Sequence, residues 1–301
     1  MKVVQLSGGV GGARLARGFE ALAAVELTVV VNVGDDAENH GLSISPDLDT
    51  VVYTLANLEG PEGWGRAEDT FDLNEELARF GVDNTFRLGD RDLALKVFRT
   101  MALRSGAPLS KVTADVSAAF GVRAAVTPVT DDRLRTMVRV GEGWVTFQEY
   151  FVARRHQDEV HELRFEGADS ATPAPGVIEA ISQADRVVIG PSNPPLSIWP
   201  ILAVPGVREA VAGHASVTAV SPLVGGKAVR GPADRVLASL GLGAGNRAVA
   251  DAYSGLIHRL VIDATDRDGI PDLSDLDVVV TSTLIRDPGE AARLARLLVA
   301  P

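Results

Sequence analysis

The stretch MKVVQLSGGVGGARLARGFEALAAVELTVVV, residues Met1–Val31, decides the fold. Lys2–Leu6 and Leu27–Val31 are short Val-rich runs, the composition of strands buried on both faces of a parallel sheet. Between them Ala13–Ala24 carries apolar residues at helical spacing. The unit therefore reads as strand, glycine turn, helix, strand. Arg186–Ile189, Ser216–Val220, Leu260–Ile262 and Val278–Val280 repeat the buried-strand composition. Helices are predicted over Asp49–Leu58, Val207–Ala212, Pro232–Leu240, Ala248–His258 and Pro288–Leu298. This alternation predicts an α/β fold, a doubly wound, mainly parallel, Rossmann-like sheet whose ligands sit beyond the carboxyl ends of its strands.

The middle of the chain breaks the pattern. Asn74–Phe80 and Arg91–Ser105 read as helices, and Arg135–Val140 and Trp144–Val152 alternate across Gly141-Glu142-Gly143, a hairpin signal. Residues 59–174 are therefore expected to form a smaller α+β lobe. It would be inserted between the two parts of a nucleotide-binding core, 1–58 and 175–301. ATPAPG, Ala171–Gly176, marks the return.

Composition excludes several functions. The chain has 301 residues, of which 46% are hydrophobic, enough for a large core. It has no cysteine, so disulfides, thiolate metal sites and cysteine nucleophiles are ruled out. A net charge of −11 repels polyanions, which argues against nucleic acid and anionic membranes as partners. No stretch reaches membrane-spanning length and the N-terminus lacks a secretory pattern, so a cytoplasmic protein is expected.

Two segments carry candidate chemistry. In SGGVGGAR, Gly8, Gly9, Val10, Gly11 and Gly12 precede a helix whose free N–H groups and positive dipole end suit a phosphate. The loop lacks the Lys and Ser/Thr of a Walker A motif. It also has Arg14 where a dinucleotide fingerprint starting at Gly9 would place its third glycine. The second segment, NVGDDAENHGLSISPDLDTVVYT (Asn32–Thr54), places Asp35, Asp36, Asp47 and Asp49 within fifteen residues. An acid after the second strand could hold ribose hydroxyls, and Ser45 or Asp47 could cap a helix. Two pairs of acids are better read as oxygen ligands for a hard cation such as Mg2+, shared with substrate phosphates.

Further along, Arg87, Asp90 and Arg91 surround the start of LGDRDLALKVFRT. Asp90 could cap that helix and Asp92 could pair with Lys96 at i,i+4. That leaves the arginines for a flat ring or a phosphate. Ser192, Asn193 and Pro194 follow one predicted strand, and Ser221, Gly225, Gly226, Lys227 and Arg230 follow another.

Together these motifs resemble a known family. SGGVGGARL, VNVGDD, SPDLDTVVYTL, LGDRDLA, TDDRLRT, FQEYFV, PGVIEAI, IGPSNPPLSI, ILAVPGVREA and SPLVGGKAVRGPA are similar, in order, to the 2-phospho-L-lactate transferases of coenzyme F-420 biosynthesis, including their bacterial phosphoenolpyruvate transferase members. The resemblance extends from the N-terminus to about Asp263. It implies a magnesium-dependent phosphotransferase. The enzyme would move a 2-phospholactyl or phosphoenolpyruvyl group from a guanosine diphosphate-linked donor to the ribityl hydroxyl of the deazaflavin Fo, releasing GMP. It also implies that Asp49 and Arg87, with Asp90 and Arg91 beside them, bind Fo under the inserted lobe. Asp49 and Asp47 would be catalytic, and Asp35, Asp36, Asp47 and Asp49 would hold the metal. The glycine loop (Gly8–Gly12), Ser192, Asn193, Pro194, Ser221, Gly225 and Gly226 would line the nucleotide and diphosphate. A homodimer is also implied.

The chain departs from the family where Leu93-Ala94-Leu95-Lys96 replaces a histidine-containing LATH. GGVGGAR and the GDD form of the acidic loop favour the enolpyruvyl donor. Two other readings use the same scaffold. One is a non-catalytic, nucleotide-sugar-binding regulator of the gluconeogenesis-factor type, and the other a nicotinamide-dependent dehydrogenase. The paired SPDLDT and LGDRDLA motifs speak against the first, and Arg14 speaks against the second.

Overall fold

The structure is a computed structural model that describes residues 1–82 and 86–300. The opening unit is β1 (Lys2–Ser7), α1 (Gly9–Glu20) and β2 (Glu26–Val31). A small hairpin of β3 (Ala37–Asn39) and β4 (Leu42–Ile44) leads into α2 (Pro46–Leu55). Next come α3 (Asp72–Arg79), α4 (Asp90–Arg104), α5 (Leu109–Ala119) and β5 (Ala125–Pro128). Strands β6 (Arg135–Val140), β7 (Gly143–Thr146) and β8 (Val160–Glu166) form an antiparallel sheet in the order β7-β6-β8. The chain returns through α6 (Val177–Gln183), β9 (Arg186–Ile189), α7 (Trp199–Leu202), α8 (Val207–Ala212) and β10 (Val217–Val220). Two short strands follow, β11 (Leu223–Val224) and β12 (Lys227–Ala228), before α9 (Ala233–Ser239) and α10 (Gly245–Ala252). The last elements are β13 (Arg259–Asp263), β14 (Asp277–Thr281) and α11 (Pro288–Val299).

The central sheet has the order β14-β13-β10-β9-β1-β2-β5, and every pairing in it is parallel. Its inner strands are buried apart from Thr28 and the first residues of β1, β2, β9 and β13, and Val3, Leu6, Val29, Val30, Val31, Val187, Ile189 and Val220 form the centre of the core. That burial explains why these segments read as continuous apolar runs without alternation. From β1 the chain moves to β2 on one side and later returns to β9 on the other. The carboxyl ends of β1 and β9 therefore flank the topological switch point, where such sheets leave a crevice for ligand.

The expected α/β architecture is present, with local differences, among them the expected helix Ala248–His258, which spans Gly245–Ala252. Helix α1 begins at Gly9 rather than Ala13, so the glycine turn forms the helix's first turn. Residues 59–174 are not wholly apart from the core. Ala125–Pro128 pairs with Thr28–Val31 and forms the sheet's edge, while α5 and α2 pack beside it. The expected strand Trp144–Val152 ends at Thr146, and the chain turns into a wide helical turn, Glu149–Ala153. The hairpin across Gly141 and Glu142 does form, with Val140 opposite Gly143. A separate small core lies under that sheet, built from Val138, Val140, Val145, Tyr150, Val160, Leu196 and Val236. Among the described residues no helix is long and apolar enough to cross a membrane.

Candidate functional site

The glycine turn and the loop after β9 are latched at the switch point. Ser192 Oγ donates to the Gly8 carbonyl at 2.7 Å and accepts from Gly8 N at 3.2 Å. A Cβ on Gly11 would collide with the Pro191 carbonyl oxygen, and one on Gly8 would stand 2.6 Å from Asp47 Oδ2. Only glycine allows these two loops to approach so closely. The first-turn N–H groups of α1 have no acceptor within the helix, and the first of them, Gly9 N, is taken by the acidic loop. Asn193 accepts from Leu196 N at 3.2 Å and shapes the turn that Pro194 begins.

The acidic loop is drawn onto this turn. Asp47 lies in the first turn of α2, and its Oδ1 accepts from Gly9 N at 2.6 Å. Asn32, just beyond β2, organises the rest. Its amide donates to Asp47 Oδ2 at 2.9 Å and to Asp35 Oδ1 at 3.3 Å, while its oxygen accepts from Gly34 N at 2.7 Å. Asp36 accepts from Ser45 Oγ at 2.8 Å, and its Oδ1 is buried without a hydrogen-bond partner. Gln148 donates to the Asp35 carbonyl at 2.7 Å, tying the antiparallel lobe to the loop.

Electrostatics sets these three carboxylates apart. Burial, with Asp47 and Asp36 nearby, holds Asp35 well above the ordinary carboxylate value. Burial raises Asp36 to about 7, despite the Ser45 hydroxyl and the charges of Arg135 and Arg99. Burial raises Asp47 to about 6, although Asn32 and Gly9 donate to it. Such a cluster has less positive charge around it than its ionised form requires.

Asp49 behaves in the opposite way, only two residues further along α2. Lys96 Nζ reaches its Oδ2 at 2.7 Å, and Arg99 grips both oxygens, NH1 at 3.1 Å from Oδ2 and NH2 on Oδ1. Lys96 also bonds Asp92, the i,i+4 pair expected from sequence, and Asp92 accepts from Tyr53 OH at 2.7 Å. All five side chains are buried. Burial alone would raise Asp49, but Arg99 and Lys96 outweigh it and hold the carboxyl below its ordinary value. The four aspartates thus do not gather around one point. Among the described residues no three His, Asp or Glu side chains converge closely enough to hold a metal ion. Asp35 and Asp47 stay together through Asn32, Asp36 flanks them, and Asp49 belongs to an ion-paired network with α4.

The start of α4 is built differently from the expectation. Asp90 does not cap its own helix. It accepts from Asp72 N, Leu73 N and Thr70 Oγ1 at the start of α3. Asp69 in turn accepts from Arg91 N and Asp92 N, so the two helix starts cap each other. Arg87 stacks on Phe71, 4.3 Å from the ring centroid, and both Arg87 and Arg91 are exposed. On the other side of the switch point, Ser221 Oγ donates to Asn246 at 2.6 Å, and Gly225 N donates to Thr265 Oγ1 at 3.0 Å. Gly226 closes the same turn with positive φ.

Sequence reading passed over Asn32 and Arg99. A lone Asn before a GDD loop carries no motif signal. Arg99 lies one helical turn from Lys96, but its partner is 50 residues away.

Comparison with known proteins gives a consistent result. Residues 3–283 match the family model described as 2-phospho-L-lactate transferase CofD. A phosphoenolpyruvate transferase from Streptomyces coelicolor is 43% identical over 307 residues, covering 98% of this chain and 96% of its own length. A 2-phospho-L-lactate transferase from Methanopyrus kandleri is 40% identical over 299 residues, with 98% and 96% covered. Among solved structures, a UPF0052-family protein from Bacillus halodurans shares the fold at a TM-score of 0.67 and 18% identity, over 100% of both chains.

Proposed function

We propose, from the premise that the chain belongs to the 2-phospho-L-lactate transferase CofD family, that it transfers a phosphoenolpyruvyl group to the deazaflavin Fo in coenzyme F-420 biosynthesis. The donor is a guanosine diphosphate-linked three-carbon acid. The ribityl hydroxyl oxygen gives up its proton to solvent and bonds to the phosphorus bearing that acid, while the bond from the same phosphorus to the GMP oxygen breaks and GMP leaves with that electron pair. A 2-phospholactyl donor is the variant suggested by the archaeal relative's name. The observation that carries the reading is the Gly9–Asp47 hydrogen bond, which holds a phosphate-type helix start against an acidic loop at the switch point.

The residues present suit magnesium in one arrangement. Mg2+ is commonly held by one or two carboxylates, with substrate phosphates and waters completing the shell. Asp35 and Asp47 form such a pair, and their raised affinity for protons marks a place where a cation is electrostatically welcome. Bound there, the ion would neutralise charge on the diphosphate. Asp36, with one unpartnered buried oxygen, stands beside them. Asp49 is a poor proton acceptor because two buried cations stabilise its ionised form, so it takes a positioning role between α2 and α4. That fits the reaction, since phosphoryl transfer depends on alignment and charge neutralisation more than on covalent chemistry.

Arg87 and Arg91 remain available to a planar acceptor. Asp90 is occupied as a cap and acts at most through them. The first turn of α1, Ser192, Asn193 and the Ser221–Gly226 loop would line the nucleotide side. A homodimer in the cytoplasm belongs to the same reading. It is supported by the exposed apolar side chains Leu73, Phe80, Val97, Phe98 and Met101 on and beside α3 and α4.

The test combines purified protein, Fo, magnesium and either the enolpyruvyl or the lactyl donor, with mass spectrometry of the products. The expected result is the enolpyruvyl phosphodiester of Fo together with GMP. Guanine nucleotide binding without product from either donor would favour the non-catalytic regulator instead.

A further inference from the structure

One large aromatic side chain stands at the mouth of the glycine turn with much of its surface free. Trp64 is 57% exposed, on a short turn closed by the Glu59–Arg66 pair and by Gly60 N donating to the Gly65 carbonyl at 3.0 Å. The turn rests directly on the candidate phosphate-binding helix start. Gly63 has φ +86°, and a Cβ there would lie 2.5 Å from Val10 Cγ1. From the opposite side of the switch point, Arg230 reaches over. Its guanidinium donates to the Glu62 carbonyl oxygen, lies 3.7 Å from the Glu62 carboxylate, and sits 5.9 Å from the Trp64 ring centroid.

Three arginines, Arg14, Arg17 and Arg230, meet two glutamates, Glu59 and Glu62, around this turn. Arg17 pairs with Glu59 and Arg230 with Glu62, while among the described residues Arg14 donates to a carbonyl, that of Ile285, at 2.8 Å. Burial, then the neighbouring Arg230 and Arg17, depress Arg14 below its ordinary value, as expected where cations crowd together. The other two tryptophans are engaged elsewhere: Trp199 donates to the Ala252 carbonyl and Trp144 lies under Arg164.

We propose that Trp64 is the stacking platform for the purine base of the donor, and that Arg230 exchanges Glu62 for the donor's diphosphate. The clasp between the Glu59–Arg66 turn and the loop carrying Arg230 would thus close over bound nucleotide. This deepens the transferase reading and rests on it, because it takes the donor to be linked to a nucleoside diphosphate. A flat ring stacks favourably on an aromatic side chain, and a guanidinium recognises phosphate oxygens in bidentate fashion. The base lies far from the reacting phosphorus, so the contact contributes equally to ground and transition states.

The test is a titration with GDP, GMP and UDP, followed by intrinsic fluorescence and calorimetry, on wild-type protein, Trp64→Ala, Trp64→Phe and Arg230→Gln. GDP should quench wild-type fluorescence and bind more tightly than UDP, whose smaller base stacks less. Trp64→Ala should lose the quenching and weaken GDP about tenfold, the equivalent of about 1.4 kcal/mol. Trp64→Phe should recover most of that affinity, which a merely structural role would not predict for an exposed side chain. Arg230→Gln should weaken GDP more than GMP. Product formation from Fo, scored in parallel, should show a raised KM for the donor with kcat little changed in Trp64→Ala. Unchanged GDP affinity and donor KM in Trp64→Ala, with wild-type turnover present, would overturn the proposal and leave the transferase reading standing. GDP binding through Trp64 without product would uphold the proposal and overturn that reading. No GDP binding by wild type would overturn both.

Discussion

Asp47 and Asp49 occupy the same first turn of α2, are equally buried, and have opposite surroundings. Asp47 faces two neutral donors and another carboxylate, and burial lifts it to about 6. Asp49 faces two cations that more than offset burial and hold it low. Side chains two apart on a helix point in different directions, so one can serve a ligand while the other serves the scaffold. Their alternation in SPDLDT thus reflects division of labour rather than a single set of ligands. A buried group that disfavours its own charge is waiting for a counter-charge. One already neutralised is building material.

The largest effect that can break this comparison comes from making one substitution at both positions. Asp49→Asn would leave Lys96 and Arg99 buried with too little negative charge, and losing one partner of a buried pair typically costs about 3–5 kcal/mol. The loss should appear as a lower urea midpoint at pH 8. Turnover should fall with it, so activity must be compared at matched folded fraction. Asp47→Asn should do the reverse in metal-free protein, raising stability at pH 8 by about 1–3 kcal/mol, because the folded state no longer carries an ill-solvated charge. Donor turnover should nevertheless collapse. Equal destabilisation by the two variants would end the distinction drawn here.

The pH dependence sharpens it further. For Asp36, raised to about 7 from an ordinary 3.8, the folded state binds more protons than the unfolded state between those values. Stability of the metal-free protein therefore declines as pH rises from about 4 to about 7, with Asp47 contributing up to about 6. Asp49 has the opposite sign. Its contribution is complete above the ordinary value and is lost only as pH falls below it. Magnesium should raise the melting temperature more at pH 8 than at pH 5.5, because ionised carboxylates bind it without first losing protons. A magnesium effect independent of pH would remove the Asp35–Asp47 pair from consideration.

Much of the scaffold was legible because burial writes itself into composition. Every inner strand of the parallel sheet was a Val- and Ile-rich run, and Arg186–Ile189 and Val207–Ala212 fall where their composition placed them. Strand β5 was not legible. AVTP is four residues long, ends in proline and alternates, which is the signature of an edge rather than a core strand. The start of α1 was hidden because four glycines in five positions read as loop, whereas Gly9, Gly11 and Gly12 lie in the helix, with Gly11 packed on Pro191 and Gly12 on Ser192. At the site, Asp92 and Lys96 declared themselves by helical spacing. Nothing local could show that Lys96 and Arg99 reach back about fifty positions to Asp49. Ion pairs between distant elements are set by packing, and one sequence does not record packing partners.

The smallest expected effect concerns the other crossed pair of acids, Asp69 and Asp90. Each caps the helix begun by the other's neighbour, at an exposed position, so neither carries the energetic weight of the buried network. Asp90→Ala should lower stability only slightly and should fray α3 rather than α4, because the orphan N–H groups it caps belong to α3. Hydrogen exchange resolves which helix loosens. Faster exchange at Asp72 and Leu73, with α4 still protected, would establish the crossed arrangement. If Asp90 also acts through its neighbours in the lobe, the fraying should raise the KM for the planar acceptor and leave that for the donor unchanged. A capping residue can then matter to a site it never touches, because the helix it holds in place presents Arg87 and Arg91 to that site.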